Sequence, residues 1–337
     1  MVMNTPLYLI PPNSVLNSTD SDQEAGFDHF SQAASWDETL YLGSFGASAP
    51  LLALNSTTST PDQTWICLEL VHIHATRDHL VLLPSNELEI SSDEELGLRT
   101  SVSELLFEIA PEAISIGERF WLFPTNVFDS LQTHSPKLAF GNNIDIWMPK
   151  DTNIPGLARK WRQIQNEIQM VWHDHPINQA RQNKNLASIN SLWIHGIGNL
   201  NQLNPHPLFK NIKQVISNKS FAPAFASWQK KLHTPLNQFN SNSITPGTLI
   251  DASDESITDL WESIWQSSLD KLHSGNISEI IVLDSSQGKL MKTTLTKKDF
   301  GTSITDRLFK RNNLKSITHP EWNAFLDRTI KWDIIQK

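Results

Sequence analysis

The segment from Pro155 to Asn199 limits the possible folds more than any other part of the chain. Leu157, Trp161, Ile164, Ile168, Val171 and Trp172 recur at helical spacing and make one apolar stripe, with polar residues opposite. Pro155 suits the start of such a helix, where its missing N–H costs nothing, and Pro176 disfavours helical geometry at His175 and should end it. After a loop, the apolar stretch Ser191 to Ile194 reads as a strand that runs into Gly196-Ile197-Gly198-Asn199. A helix handed on to a buried strand is a building block of α/β architecture.

The last third repeats this rhythm. Thr248 to Ile250 reads as a strand, and a helix begins near Ser253 with Ile257, Leu260, Trp261, Ile264 and Leu272 on one face. Ile280 to Leu283 is the next strand, Leu290 to Leu295 an edge strand, and Trp322 to Ile335 a closing helix. Such alternation implies a parallel or mixed sheet covered by helices. At the other end, Leu7 to Ile10 reads as a first strand, Asn13 to Gly26 as a loop and Phe30 to Leu42 as a helix before the Gly43-Ser44-Phe45-Gly46 turn.

Between these parts lies a different pattern. Thr64 to Leu83 reads as two strands joined by a turn at Arg77-Asp78-His79. Ser92 and Glu95 fit a capping box for a helix whose buried face is Leu98, Val102, Leu105, Leu106 and Ile109. Arg119 to Pro124 and Leu138 to Trp147 supply further strands. The Ser/Thr-rich stretch Asn55 to Thr60 resembles a linker. The expected organisation is therefore a discontinuous α/β core of residues 1–61 and 151–337 with an α+β insertion over residues 62–150.

With 337 residues, 39% of them hydrophobic, the chain has enough apolar material for a real core. Its net charge of -9, with basic residues scattered, argues against nucleic acid as a partner. The N-terminus lacks a basic leader, and no apolar run approaches the roughly 18 residues of a membrane span. A soluble cytoplasmic protein without membrane partners is expected. The single cysteine, Cys67, rules out a disulfide framework and a cysteine-based zinc site. Most of the 12 tryptophans sit in periodic apolar patterns and read as core.

The densest polar cluster runs from Asn166 to Asn178, with Arg181 and Asn190 beyond it. A helix end, a loop and a strand start meet there, and strand ends are where α/β sheets usually bind ligands. His175, Asn178, Arg181 and Asn190, with His195, Gly196 and Gly198 at the following strand's end, are the candidate ligand-binding residues. Arg181 offers a planar fork to phosphate or carboxylate. The competing reading is structural: His175-Pro176 stops the helix while Asn178 and Arg181 tie down a loop. His173-Asp174-His175 points in different directions on a helix and is no metal site. His72 and His74 share a strand face and could chelate zinc with His79 as third ligand, although histidines on the solvent face of a strand are common. Gly196 and Gly198 lack the third glycine and helix of a dinucleotide site, so a tight turn with close backbone approach is the simpler reading.

The run Asn166-Glu167-Ile168-Gln169-Met170, His175-Pro176-Ile177-Asn178, Arg181, Asn190-Ser191-Leu192-Trp193 and Gly196-Ile197-Gly198 resembles a motif of two related groups. One is the archaeal-type cofactor-independent phosphoglycerate mutases of the alkaline phosphatase superfamily, similar over about residues 64 to 200. The other, a closer resemblance that runs loosely along the whole chain, is the bacterial RpfE-type regulatory or phosphoglycerate-mutase-like proteins, to which Val71-His72 and Arg77-Asp78-His79-Leu80 are also similar. The resemblance implies an alkaline-phosphatase-like core sheet with helices on both faces and a small α+β insertion domain. It also implies, for the mutases, a serine or threonine nucleophile and two divalent metals held by Asp and His.

This chain departs from that pattern. Leu7 to Ile10 is followed by Pro11-Pro12-Asn13 where the mutases carry an Asp-Gly metal motif, and Asp284-Ser285-Ser286-Gln287 follows Ile280 to Leu283 with no histidine after it. Asp28-His29 has no evident ligand partners. Without metals, nucleophile activation and charge stabilisation are lost. The expectation is a catalytically degenerate relative with no catalytic residue, no metal and no cofactor, binding a small phosphorylated or carboxylate metabolite or another protein. The alternatives are an active mutase or phosphatase with two divalent ions (Mn, Zn or Mg), and a structural interaction protein without ligand.

Overall fold

The computed structural model describes residues 6–12, 35–43, 46–54, 56, 59–107, 109, 114–116, 119–254, 259–286, 289–300, 319–326 and 331–335. Two compact units make up the chain, residues 1–29 with 206–337, and residues 30–205. The first strand, β1 (Leu7–Ile10), belongs to the former. The expected loop Asn13 to Gly26 and Asp28-His29 lie outside the described residues.

The second unit opens with α1 (Trp36–Leu42), whose Ser35 and Glu38 form a capping box, and α2 (Ala49–Leu54). Its spine is the eleven-residue strand β2 (Trp65–Ala75), which turns back into β3 (Leu80–Leu83). Then come α3 (Ser92–Ser101), α4 (Ser103–Phe107), β4 (Ile114–Ile116), β5 (Phe120–Pro124), β6 (Leu131–Gln132), α5 (Pro136–Ala139) and β7 (Lys150–Asp151). The long helix α6 (Leu157–His173), α7 (Pro176–Asn183) and β8 (Ser191–Gly198) complete it. β2 pairs antiparallel with β3, β5 and β8. Strand alternation sends Ile66, Leu68 and Leu70 to one face, where they join Trp121 and Phe123 of β5, Leu192 and Ile194 of β8, and the α6 stripe Trp161, Ile164, Ile168 and Trp172. Each such side chain contributes roughly 1.5–3 kcal/mol on burial.

Several local expectations change here. Ser91 and Glu94, not Ser92 and Glu95, form the capping box of α3, because the Glu95 carboxylate is buried and accepts from Trp121 Nε1 at 2.6 Å and Arg99 Nε at 2.9 Å. The expected single helix through Ile109 is broken at Val102 into α3 and α4. Leu138 to Trp147 is no strand: Pro136 opens α5, and Ile144–Ile146 makes a 3-10 turn capped by the Asn143 side chain. Beyond α6 the chain starts α7 at once, with Pro176 in its first turn, instead of forming a loop.

The chain then returns to the first unit through β9 (Gln214–Ser217), α8 (Ala222–Trp228), β10 (Leu232–Thr234), β11 (Thr248–Asp251), α9 (Asp259–Ser274), β12 (Ile280–Ser286), β13 (Lys289–Leu295), α10 (Trp322–Leu326) and β14 (Asp333–Ile334). These strands build a seven-stranded sheet in the order β10-β9-β11-β1-β12-β13-β14. The first five run parallel, and β13 and β14 are antiparallel additions. Trp261, Ile264, Trp265, Leu269 and Leu272 of α9 pack on Leu7, Leu9, Ile250, Ile280 and Val282, with Trp322 and Phe325 of α10 filling the same cluster. Trp261 and Trp322 meet edge to face at 5.1 Å, a favoured aromatic geometry. The described part of the expected closing helix is α10 alone, and Asp333–Ile334 is strand.

This is the mixed α/β class expected, with a mostly parallel central sheet. The division of the chain differs from the expected one. Residues 151–205 belong with 62–150, since β8 is hydrogen-bonded along β2 and α6 covers the same sheet. No helix among the described residues is long and apolar enough to cross a membrane.

Candidate functional site

His175, Asn178, Arg181 and Asn190 come together as the sequence indicated, but their polar groups are engaged within the chain. His175 caps α7, its Nδ1 accepting from Ile177 N at 3.3 Å, and burial lowers its pKa. Asn178, 1% exposed, donates from Nδ2 to Trp172 O and Ile189 O and accepts from Ile189 N, each at 2.8 Å. That one side chain satisfies the end of α6 and fixes the entry to β8. Asn190 extends the β2 ladder with its side chain: Ile73 N donates to Oδ1 at 2.8 Å and Nδ2 donates to Ile73 O at 2.7 Å.

Arg181 is also 1% exposed. Its Nε donates to Ala187 O at 2.7 Å, Nη2 to Leu88 O, and Nη1 to both oxygens of Glu94 at 3.0 and 3.1 Å. Glu94 is also the acceptor of the α3 capping box. Although partial burial works against its charge, the Ser91 N–H and the Arg181 guanidinium hold its pKa below the usual range. An external anion would have to displace Glu94 to reach this fork, so the expected ligand role meets a completed clasp between α3, α7 and the start of β8.

His195, Gly196 and Gly198 stand apart from that clasp, at the far end of β8. His195 faces Cys67 across the strands, and its Nε2 lies 3.3 Å from Glu69 Oε2. Glu69 also accepts from Ser85 N at 2.9 Å and Ser85 Oγ at 2.6 Å. Burial opposes charge on the imidazole, but Cys67 and Glu69 outweigh it and raise the His195 pKa to about 10. Burial likewise works against the Glu69 charge, yet His195 and Ser85 hold that carboxyl below its ordinary value, and burial pushes the Cys67 thiol up. The arrangement is a buried cluster in which the His195 ring stands between the Glu69 carboxylate and the Cys67 sulfur. Gly196, at φ +66°, lies against Ser48, where a Cβ would collide with the hydroxyl. At Gly198 a Cβ would come 2.7 Å from that of Ala47. The two glycines therefore admit this chain's own segment 47–49 rather than a ligand's phosphates.

The other concentration of buried polar groups lies in the first unit, at the carboxyl ends of its parallel strands. β9 ends in Ser217, whose Oγ accepts from Lys219 N at 3.1 Å. Lys219 is 5% exposed, and its Nζ donates to Asp254 Oδ2 at 2.9 Å. Asp251 ends β11 in register with Ser217 of β9 and Ile10 of β1, and its Oδ1 accepts from Ser253 N and Oγ at 3.0 and 2.7 Å. Asp284 on β12 is fully buried and its Oδ1 accepts from Ser285 N at 2.7 Å. His233 Nε2 donates to Ser217 O at 3.0 Å, and burial lowers its pKa despite that bond.

Comparison with known proteins gives fold-level similarity only. The chain is similar in structure to a cofactor-independent phosphoglycerate mutase from Thermoplasma acidophilum, with 12% identity, TM-score 0.36 and coverage of 87% of this chain and 90% of that one. It is similar also to a protein from Pyrococcus horikoshii, with 11% identity, TM-score 0.40 and coverage of 83% and 82%. No protein-family model and no curated protein matches the chain.

Sequence reasoning missed Lys219, Asp251 and Asp254 as a group. The available signal was a polar residue directly after each short apolar run, Ser217 after Val215-Ile216 and Asp251 after Leu249-Ile250, which in a parallel sheet stands at the ligand-binding edge. Gln214–Ser217 carries only two apolar residues and does not read as a strand from the sequence, so Ser217 and Lys219 stand outside the row that Asp251 and Asp284 mark.

Proposed function

We propose that this chain is a catalytically degenerate relative of the cofactor-independent phosphoglycerate mutases, a cytoplasmic regulatory protein that binds a small phosphorylated or carboxylate metabolite at the carboxyl edge of its parallel sheet. The observation that carries this reading is Lys219, an ammonium held almost wholly out of water at the end of β9 beside Ser217 and Asp254. The Lys219 charge is paired with Asp254, whose side chain is 41% exposed, so an anion entering there would exchange with a partner that water already reaches, unlike the closed pair at Arg181. Resemblance to the RpfE-type regulatory group supports the regulatory role, with metabolite binding as its input.

The two divalent metals that the mutase resemblance implies do not fit these residues. Asp251 and Asp284 stand at the ends of β11 and β12, on either side of β1. Each carboxylate has an oxygen bonded to its own chain, and among the described residues no three of His, Cys, Asp and Glu are grouped to hold an ion. The active-enzyme alternative rests on the burial of those two aspartates. A structural interaction role is favoured instead by the closed clasp at Arg181.

Isothermal calorimetry with 3-phosphoglycerate and related anions tests the proposal, run beside metal analysis and a mutase assay with added manganese. Saturable heat that Lys219→Met abolishes, without turnover, is the expected result. Turnover with two bound metals would establish the enzyme. No heat with any anion would leave the structural role.

A further inference from the structure

We propose that His72 and His74 form a two-histidine site for a divalent transition-metal ion of the zinc or copper kind, on the face of β2 turned toward the loop after α7. The two residues are two apart on a strand and share a face. Their ring centroids are 5.5 Å apart. Two imidazoles on one tetrahedral ion, with metal–nitrogen bonds of about 2.0–2.1 Å, place their centroids roughly 5 Å apart, so the spacing already suits chelation.

The surroundings of each ring support the same reading. His72 Nδ1 lies 2.8 Å from Ser188 O, and since a carbonyl can only accept, that nitrogen carries the proton and Nε2 keeps its lone pair. Metal-binding histidines are oriented by this kind of N–H to carbonyl bond. The His74 side chain makes no hydrogen bond among the described residues, and its Nδ1 is buried without a partner. The ring planes are 18° apart, so one ring has to turn before both nitrogens meet an ion. His74 can do so without giving up a bond.

His79 is directed elsewhere, its Nδ1 2.8 Å from the exposed Asp78 carboxylate. Across β3 the partners of His72 and His74 are Leu83 and Val81, which offer no competing donor. The site is therefore bidentate, with water in the remaining positions, and nitrogen donors select zinc, copper or nickel over magnesium or calcium. An ion bound there holds β2 against the loop at Ser188 and stabilises the fold by mass action.

The test is calorimetric titration of the full chain, freed of metal with EDTA, using zinc chloride, copper sulfate and magnesium chloride, with thermal melts in parallel. One zinc or copper ion per chain, a raised melting temperature and no response to magnesium are expected. His72→Gln and His74→Gln should each weaken binding about tenfold or more, with unchanged circular dichroism, whereas His79→Gln should leave it intact. Absence of binding at millimolar zinc or copper, or binding that survives both His72→Gln and His74→Gln, overturns the proposal.

Discussion

Arg181 on α7 and Glu94 in the first turn of α3 form an ion pair in which the single nitrogen Nη1 lies 3.0 and 3.1 Å from the two carboxylate oxygens, although 87 positions separate them in sequence. Glu94 also closes the capping box with Ser91, so one carboxylate ends a helix dipole and anchors a second helix. Arg181→Ala removes the guanidinium donor from Leu88 O, Ala187 O and Glu94, which keeps only its Ser91 donors. Loss of one member of a buried pair costs about 3 kcal/mol or more, moderated here because Glu94 is partly exposed. Urea denaturation should show that loss, and metabolite calorimetry should show no change in affinity beyond it. A selective loss of affinity without loss of stability would return Arg181 to the ligand site.

The buried cluster of His195, Cys67 and Glu69 gives stability a defined pH dependence. His195 is raised to about 10 in the folded chain, above the ordinary value of roughly 6.5. Its contribution is complete below about 6.5 and drains away as pH rises toward 10. Glu69 is lowered, so its contribution is present above the ordinary carboxylate value of roughly 4.3 and is lost as pH falls through its folded value. The expected optimum from this cluster lies between about pH 5 and 6.5. His195→Gln should flatten the alkaline limb of the stability profile relative to wild type. A parallel profile in the variant would show that the cluster is not what titrates.

The α6 stripe was legible because six apolar residues at a 3.6-residue period admit one answer, and the buried positions Trp161, Ile164, Ile168 and Trp172 occupy it. The α3 cap was legible only to within one residue. Ser91 and Ser92 precede Glu94 and Glu95, so two capping boxes fit locally, and the choice is made by Trp121, whose indole N–H needs Glu95 inside the core. The same limit explains Asn178 and Arg181: the polar cluster is visible in the sequence, but its partners Leu88, Glu94 and Ile189 are known only once α3, α7 and β8 are packed. Lys219 and Asp254 stand 35 positions apart in the segments that follow β9 and β11, and nothing local connects them.

Cys67 is fully buried in β2, and burial raises its pKa, so it should behave as an inert thiol. Native protein should resist iodoacetamide at pH 8, and the same chain in 6–8 M urea, about the range that unfolds ordinary domains, should take up one equivalent. Rapid labelling of the native state would mean that the α2 side of the sheet opens locally and exposes the Cys67–His195 pair.

Gly196 tests whether the Gly-x-Gly turn serves packing. Its φ of +66° costs an alanine about 1–2 kcal/mol, and the added Cβ also meets Ser48 Oγ. Gly196→Ala should therefore destabilise by more than the backbone cost alone. Removing the obstructing hydroxyl with Ser48→Ala should recover the hydroxyl's share of the steric cost and leave the backbone part and the 3.1 Å approach to Ala49 N, so that the two changes are non-additive in a double-mutant cycle. If the turn instead received a phosphate, Gly196→Ala would weaken metabolite binding and Ser48→Ala would not restore it. Urea midpoints for the four proteins, measured beside calorimetry with 3-phosphoglycerate, separate these outcomes, since packing predicts coupling in stability and a ligand turn predicts loss of heat.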